Sequence, residues 1–134
     1  MIFHGQMHRS EVFDLMEKCS CFIMVSDNET FGMVYLEAMI SGCITVASEK
    51  GGVDGVIIDG VNGYLSKQKD VNALVEKLKI IDSLSDDECT MIRRRAVETA
   101  YKYRDTSVAN RYLEDVIKWK CGKLGKNNSL DDKD

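Results

Sequence analysis

Two uninterrupted apolar runs, Cys21 to Val25 and Cys43 to Ala47, constrain this chain more than anything else in it. A strand with one wet face alternates apolar and polar residues, whereas a strand without alternation is buried on both faces, as in a parallel sheet covered by helices. The first run stops at Ser26-Asp27-Asn28, and a helix is expected from Thr30 to Ser41. Gly42 stands where a left-handed C-terminal cap would end that helix. Parallel strands need such a crossover, so the pattern predicts an α/β fold: an open parallel sheet with helices on its faces. A chain of 134 residues is long enough for one ordinary core and too short for two full domains.

The remaining segments fit this plan. Ile2-Phe3 running into His4-Gly5 reads as the end of a strand whose neighbours lie elsewhere. Ser10 is the expected N-cap of a short helix carrying Val12, Phe13, Met16 and Cys19 at helical spacing. Gly51-Gly52, Asp59-Gly60 and Asn62-Gly63 mark loops and turns around short extended pieces at Val56 to Ile58 and at Tyr64-Leu65. Asp70 is expected to cap a helix carrying Val71, Leu74, Leu78 and Ile81, and Ser85 or Asp86 to start another through about Tyr103. Thr106 or Ser107 starts the last, with Tyr112, Leu113, Val116 and Ile117 on one side. The expected domain is 1–121, followed by a polar tail at 122–134 expected to be disordered.

Composition removes several function classes. With 18 basic and 22 acidic side chains, a net charge of -4 and no Lys/Arg block, the chain is a poor match for nucleic acid. Its apolar runs fall far short of the roughly 20 residues that cross a bilayer, and no signal peptide precedes them. Trp119 between Lys118 and Lys120 offers a peripheral membrane contact, although packing against a further domain is the stronger expectation. The five cysteines (Cys19, Cys21, Cys43, Cys89, Cys121) lack CxxC spacing and a nearby His, which predicts reduced, mostly buried thiols in a cytoplasmic protein. His4 and His8, with Gly5 between them, read as loop histidines, and no metal site is expected. GxGxxG, GxxxxGK[ST] and GxSxG are all absent.

Ligands of open α/β sheets bind beyond the carboxyl ends of the strands, which here means the segment after Val25. With glycine expected inside the first helical turn, the amides of Phe31, Gly32, Met33 and Val34 are candidates for holding a phosphate at the positive end of the helix dipole. Many strand–helix junctions share that feature without binding anything. Glu37 is placed to accept both hydroxyls of a ribose, or is merely a solvated helix-face glutamate. Glu29 is placed to bind sugar hydroxyls beside the phosphate, or is merely an acidic residue favouring a helix N-terminus.

Glu29-x7-Glu37, embedded in E-T-F-G-x-V-x-L-E-A-M and followed by Ser41-Gly42, closely resembles the motif of family-4 glycosyltransferases. The resemblance runs from Ile2 to about Tyr112. It takes in Phe3-His4-Gly5, the apolar run into Ser26, Gly51-Gly52-Val53 and Asp59-Gly60-Val61-Asn62-Gly63-Tyr64-Leu65 in family order. It implies a GT-B enzyme of two facing Rossmann-like domains, moving a hexosyl group with retention from a nucleotide-diphosphate sugar to a glycan or lipid-linked acceptor, without a bound metal or further cofactor. This chain resembles the later part of the second, donor-binding domain.

The donor-binding set so implied is Gly5, Ser26, Glu29, Thr30, Phe31, Gly32, Met33, Val34 and Glu37. Within it Glu29 is the catalytic residue near the reacting centre, the amides around Phe31 to Met33 hold sugar or phosphate, Glu37 holds the ribose, and the loop after Gly5 lies near the base. Family members also bring an Arg and a Lys to the diphosphate from the start of that domain. No such stretch precedes Ile2, and Arg9 is not a motif match. The acceptor domain is expected from a preceding segment or a partner chain, so this chain alone should be a poor catalyst. Two other readings are a non-catalytic nucleotide-sugar-binding subunit working beside a separate acceptor-domain chain, and a piece that no longer binds donor. Prolines common in the family are replaced by Val25, Ile44 and Asp54, and an acidic residue by Gly55, which predicts lower stability or a looser loop at 51–55 before lost binding.

Overall fold

The computed structural model describes residues 1–27, 32–53, 55–103, 114, 116–118 and 120–122. Its elements are α1 (Arg9–Lys18), β1 (Cys21–Met24), α2 (Met33–Ile40), β2 (Ile44–Ser48), β3 (Tyr64–Ser66), α3 (Val71–Asp82) and α4 (Asp86–Lys102). The strands form one parallel sheet in the order β1-β2-β3. Cys21 lies opposite Ile44 and Met24 opposite Ala47, while Val46 lies opposite Tyr64. This is the expected α/β architecture.

Alternation along β2 sends side chains to both faces, and each face is covered by helices. Ile44 and Val46 pack with Tyr64 and Ile92, flanked by Cys21 from β1, Leu74 and Ile81 from α3, Leu84 from the α3–α4 connection and Cys89 from α4. On the other face Phe22 meets Tyr35 edge-on at 6.1 Å, and the Tyr35 hydroxyl donates to the Met24 carbonyl at 2.6 Å. Only β2 is buried along its whole length. β1 departs from the expectation of two buried faces: Ile23 is 43% exposed, because β1 stands at the edge of the sheet among the described strands. Ile2 and Phe3 are almost fully exposed and form no strand, having no strand neighbour among the described residues.

Helix ends follow from local chemistry, in places not where first expected. His8, not Ser10, caps α1, because the Glu11 carboxylate accepts from the His8 amide at 2.8 Å and draws the first turn forward. α2 begins at Met33 instead of Thr30: Gly32 is left-handed (φ 61, ψ 52) and serves as the N-cap, outside the first turn. At its other end the expected stop holds. The Cys43 amide donates to Ala38 O at 3.0 Å and the Gly42 amide to Met39 O at 3.1 Å, a Schellman closure around Gly42 (φ 86). Asp70 caps α3 through the Ala73 amide, whereas Val71 lies exposed off the packed side. Ser85 and Glu88 form a reciprocal capping box before α4.

Val56 to Ile58 is not a strand. The Val56 and Ile57 amides turn back on Val53 O, and Asn62 is the pin of this region. Its side chain accepts from Ile58 N at 2.7 Å and donates to Val56 O and Thr99 Oγ1, both at 2.9 Å. Gly63 beside it is required by space: a Cβ there would lie 2.8 Å from the Thr45 carbonyl oxygen.

All five cysteines are free, and burial holds only for Cys43, with Cys21 and Cys89 intermediate and Cys19 and Cys121 exposed. That corrects the expectation of mostly buried thiols: α1 ends before Cys19, and Cys21 starts an edge strand. The chain divides into two compact units, Met1–Ala100 and Tyr101–Asp134. In the second, 114, 116–118 and 120–122 are helical, while the expected helix start, Tyr112, Leu113, Trp119 and the tail from 123 lie outside the described residues.

Candidate functional site

The carboxyl end of the sheet is tied together by hydrogen bonds to one carbonyl. Ser48 Oγ, at the end of β2, donates to Ser26 O at 2.6 Å, and Gln68 Nε2, just past β3, donates to the same oxygen at 3.1 Å. Lys69, left-handed at φ 56, pairs with Asp27. Ser26 thus sits at the exit of β1, with its carbonyl engaged in structure. Glu29, Thr30 and Phe31 lie outside the described residues.

Gly32, Met33 and Val34 stand at the N-terminus of α2. The Tyr35 amide, third in the helix, donates to Gly32 O at 2.9 Å, whereas the Met33 and Val34 amides before it have no carbonyl within their own helix to bond. The first turn of α2 carries no acidic side chain, so its own carboxylates do not oppose an anion there.

Glu37 is not a solvated helix-face residue. Its side chain is 6% exposed, and Oε1 lies 3.4 Å from Nη2 of Arg9, itself 43% exposed. A carboxylate so buried is costly unless a charge or hydrogen bonds compensate it, and Arg9 supplies a charge. The Arg9 guanidinium also sits 5.4 Å from the centre of the Phe13 ring, a cation–π arrangement. Arg9 is the partner of Glu37 that sequence reasoning passed over. It lies 28 positions from Glu37, and only the packing of α1 on α2 brings them together.

That contact also places the entry to α1, the segment following Gly5, beside α2. Gly5 is exposed and left-handed (φ 64), with open space around the position of a Cβ. Its glycine is explained by backbone conformation and not by crowding. Gly55 is likewise left-handed (φ 81), so an acidic residue at that position would be strained in this loop course. Asp54 lies outside the described residues.

An open cavity of about 860 Å3 lies at the opposite end of the sheet, where Ser20, Cys21 and Ile44 begin β1 and β2 and Leu78, Ile81 and Arg93 close the side. None of Ser26, Gly32 and Glu37 lines it. Burial pushes the Cys21 thiol there up to about 11, with the Arg93 charge acting in the opposite direction, so Cys21 is a neutral thiol near pH 7. Among the described residues no group of three or more His, Cys, Asp or Glu could hold a metal ion. No described helix is long and apolar enough to cross a membrane.

Residues 1–103 match the family described as glycosyl transferases group 1. MJ1178 of Methanocaldococcus jannaschii, an uncharacterized glycosyltransferase, is 36% identical over 84 residues, or 63% of this chain and 23% of that protein. Sulfoquinovosyl transferase SQD2 of Arabidopsis thaliana is 35% identical over 106 residues, 76% of this chain and 20% of its own length. The chain therefore spans about a quarter or less of these relatives.

Among solved structures, Anabaena Alr3699/HepE in complex with UDP-glucose superposes with a TM-score of 0.64 at 26% identity, over 78% of this chain and 29% of that one. The C-terminal domain of the Francisella tularensis glycosyl transferase group 1 protein LpcC gives a TM-score of 0.69 at 23% identity, over 78% of this chain and 53% of that domain, a likeness of fold. The structural neighbours are GT-B glycosyltransferases, which agrees with the parallel sheet and its flanking helices. With the sequence match covering most of its length and the same fold beneath it, this chain belongs to the glycosyl transferases group 1.

Proposed function

We propose that this chain forms part of the donor-binding domain of a retaining, metal-independent family-4 glycosyltransferase. The complete protein moves a hexosyl group from a nucleotide-diphosphate sugar to a glycan or lipid-linked acceptor. The observation that carries this reading is the buried Glu37 carboxylate, ion-paired to Arg9 and set one turn into a helix whose N-terminus opens on a left-handed glycine. A buried carboxylate within reach of a phosphate-binding helix end suits a nucleotide, whose ribose offers two hydroxyls to the acceptor oxygens while the diphosphate meets the amides. The UDP-glucose bound to the Anabaena relative supports the ligand class.

In this reading Glu37 holds the ribose, and the amides of Phe31, Gly32, Met33 and Val34 take the diphosphate or sugar. Ser26 and Thr30 line the approach, and Gly5 and its loop border the base. Glu29 contacts the donor sugar at the reacting centre. Departure of the diphosphate leaves an oxocarbenium-like sugar, so the chain's contribution is preorganised hydrogen-bond donors on the leaving oxygens and acceptors on the sugar hydroxyls. No further cofactor takes part. The acceptor side belongs to a segment or partner beyond this chain, in a cytoplasmic protein with a peripheral membrane contact where the acceptor is lipid-linked.

Calorimetric titration of the chain with UDP, GDP and ADP tests this reading. Saturable binding of one of them, lost or weakened in Glu37→Ala, is the expected result. A folded chain that binds none overturns it.

A further inference from the structure

We infer that Arg9 is a positioning residue of this site: its guanidinium keeps the buried Glu37 carboxylate ionised, and so able to accept both ribose hydroxyls at neutral pH. The inference rests on the donor-site reading and adds to it a residue outside the motif.

The physical case begins with exposure. The Glu37 side chain is 6% exposed, and removal from water favours the protonated form of a carboxyl group. A protonated carboxyl turns one of its acceptor oxygens into a donor and cannot take two hydroxyl hydrogens in the same way. Arg9 Nη2 at 3.4 Å from Oε1 opposes that drift, and an arginine stays charged throughout the range in which proteins work. Because the Arg9 side chain is 43% exposed, its own charge is only partly desolvated, while the Phe13 ring at 5.4 Å holds the guanidinium in place. The two carboxylate oxygens carry about four acceptor positions between them, so a guanidinium and a diol can share one carboxylate and both favour its ionised state. Arg9 and the ribose therefore cooperate.

α2 packs against β2 and α1. β2 has no titratable side chain, and the Cys43 thiol just before it donates to Met16 O. Glu49 and Lys50, just past β2, are exposed. On α1, Glu11 is engaged with the His8 amide, Asp14 and Glu17 are acidic, and Lys18 is in the last turn. On α2 itself Tyr35 donates to Met24 O. Among these groups, the Arg9 guanidinium lies within ion-pair distance of the Glu37 carboxylate.

The experiment is calorimetric titration of the whole chain with UDP, GDP and ADP, taking whichever binds through about pH 5.5 to 8 with wild type, Arg9→Gln, Arg9→Lys and Glu37→Gln. Glu37→Gln cannot titrate at this position and gives the slope owed to the diphosphate itself. Relative to that slope, wild type and Arg9→Lys should be flat. Arg9→Gln should match wild type within about threefold at the top of the range and lose affinity by up to about tenfold per pH unit below it, as one proton must leave for each nucleotide bound. Loss that is uniform across pH, or no loss, overturns the inference while the donor site stands. No binding of any of the three by wild type overturns both. A readout that does not depend on Arg9→Gln folding is the Glu37 carboxyl carbon of the wild-type chain followed by NMR. It should remain a carboxylate down to about pH 5, and protonation above about pH 6 overturns the assignment.

Discussion

The hydroxyl of Ser48 donates to the carbonyl of Ser26 at 2.6 Å, joining the ends of β2 and β1 where the segment leading to α2 departs. Gln68 Nε2 reaches the same oxygen at 3.1 Å, so one acceptor gathers three parts of the chain. Removing either donor alone leaves that oxygen bonded. Ser48→Ala and Gln68→Ala should therefore each cost about 1 kcal/mol, and the double variant more than their sum, because only then is the carbonyl left unpaired. Urea titrations of the four proteins measure the coupling. Strict additivity would show that the two bonds act independently.

Asn62 and Gly63 make a sharper stability test. Asn62→Ala strips partners from Ile58 N, Val56 O and Thr99 Oγ1 and should cost about 3 kcal/mol, since a buried polar group left unsatisfied costs about 1–3 kcal/mol. Gly63→Ala forces a methyl to 2.8 Å from the Thr45 backbone oxygen, which cannot rotate away, and should cost about 1–3 kcal/mol. Gly5→Ala makes the comparison, because the space around it is open and its penalty comes from φ alone, about 1 kcal/mol. Equal thermal shifts for Gly5→Ala and Gly63→Ala would contradict the crowding argument.

These residues also show what could be read from the sequence and what could not. The Gly42 stop, the Asp70 cap and the two-faced burial of β2 depend on neighbours a few positions away or on unbroken apolar runs, and all were legible. Asn62-Gly63 was legible as a turn. Its role as a packed pin was not, because Thr99 and Thr45 come from distant segments. β1 carries the same apolar signature as β2, and its edge position depends on the number of neighbouring strands, which no local pattern encodes. The first turn of α2 was misplaced because Gly32 takes the left-handed conformation and caps the helix instead of entering it. At the site, motif spacing picked out Glu37, while its burial and its partner Arg9 came only from tertiary packing.

Cys21 predicts a stability loss on the alkaline side. Burial raises its pKa from 9.0 to about 11, so the unfolded chain gives up the thiol proton first. Both states are protonated below about pH 9 and the term is absent there; as pH rises towards 11 the unfolded thiolate is favoured and stability falls. Partial exposure of the side chain reduces the effect to about 1 kcal/mol. Cys21→Ala should flatten this part of the pH–stability curve relative to wild type. An unchanged slope between about pH 9 and 11 would remove Cys21 as its source.

Glu37 separates function from stability. Glu37→Gln removes a buried charge while leaving a side chain of nearly the same shape, and the Arg9 left behind is 43% exposed and can be hydrated. Removing one partner of a buried pair is costly when it strands a buried charge; here the remaining charge is the exposed one, so the midpoint of thermal unfolding should stay the same or rise by a few degrees. Nucleotide affinity should move the other way. The neutral amide offers one acceptor oxygen in place of two charged ones, and losing charged hydrogen bonds to a ribose should weaken binding by about tenfold or more. A 2′-deoxynucleotide should lose less affinity on this substitution than its ribose counterpart, since it has one hydroxyl fewer to forfeit. Differential scanning calorimetry and titration on the same preparations decide the matter. A Glu37→Gln chain that is markedly less stable yet binds nucleotide unchanged would make Glu37 a structural residue of α2 and nothing more.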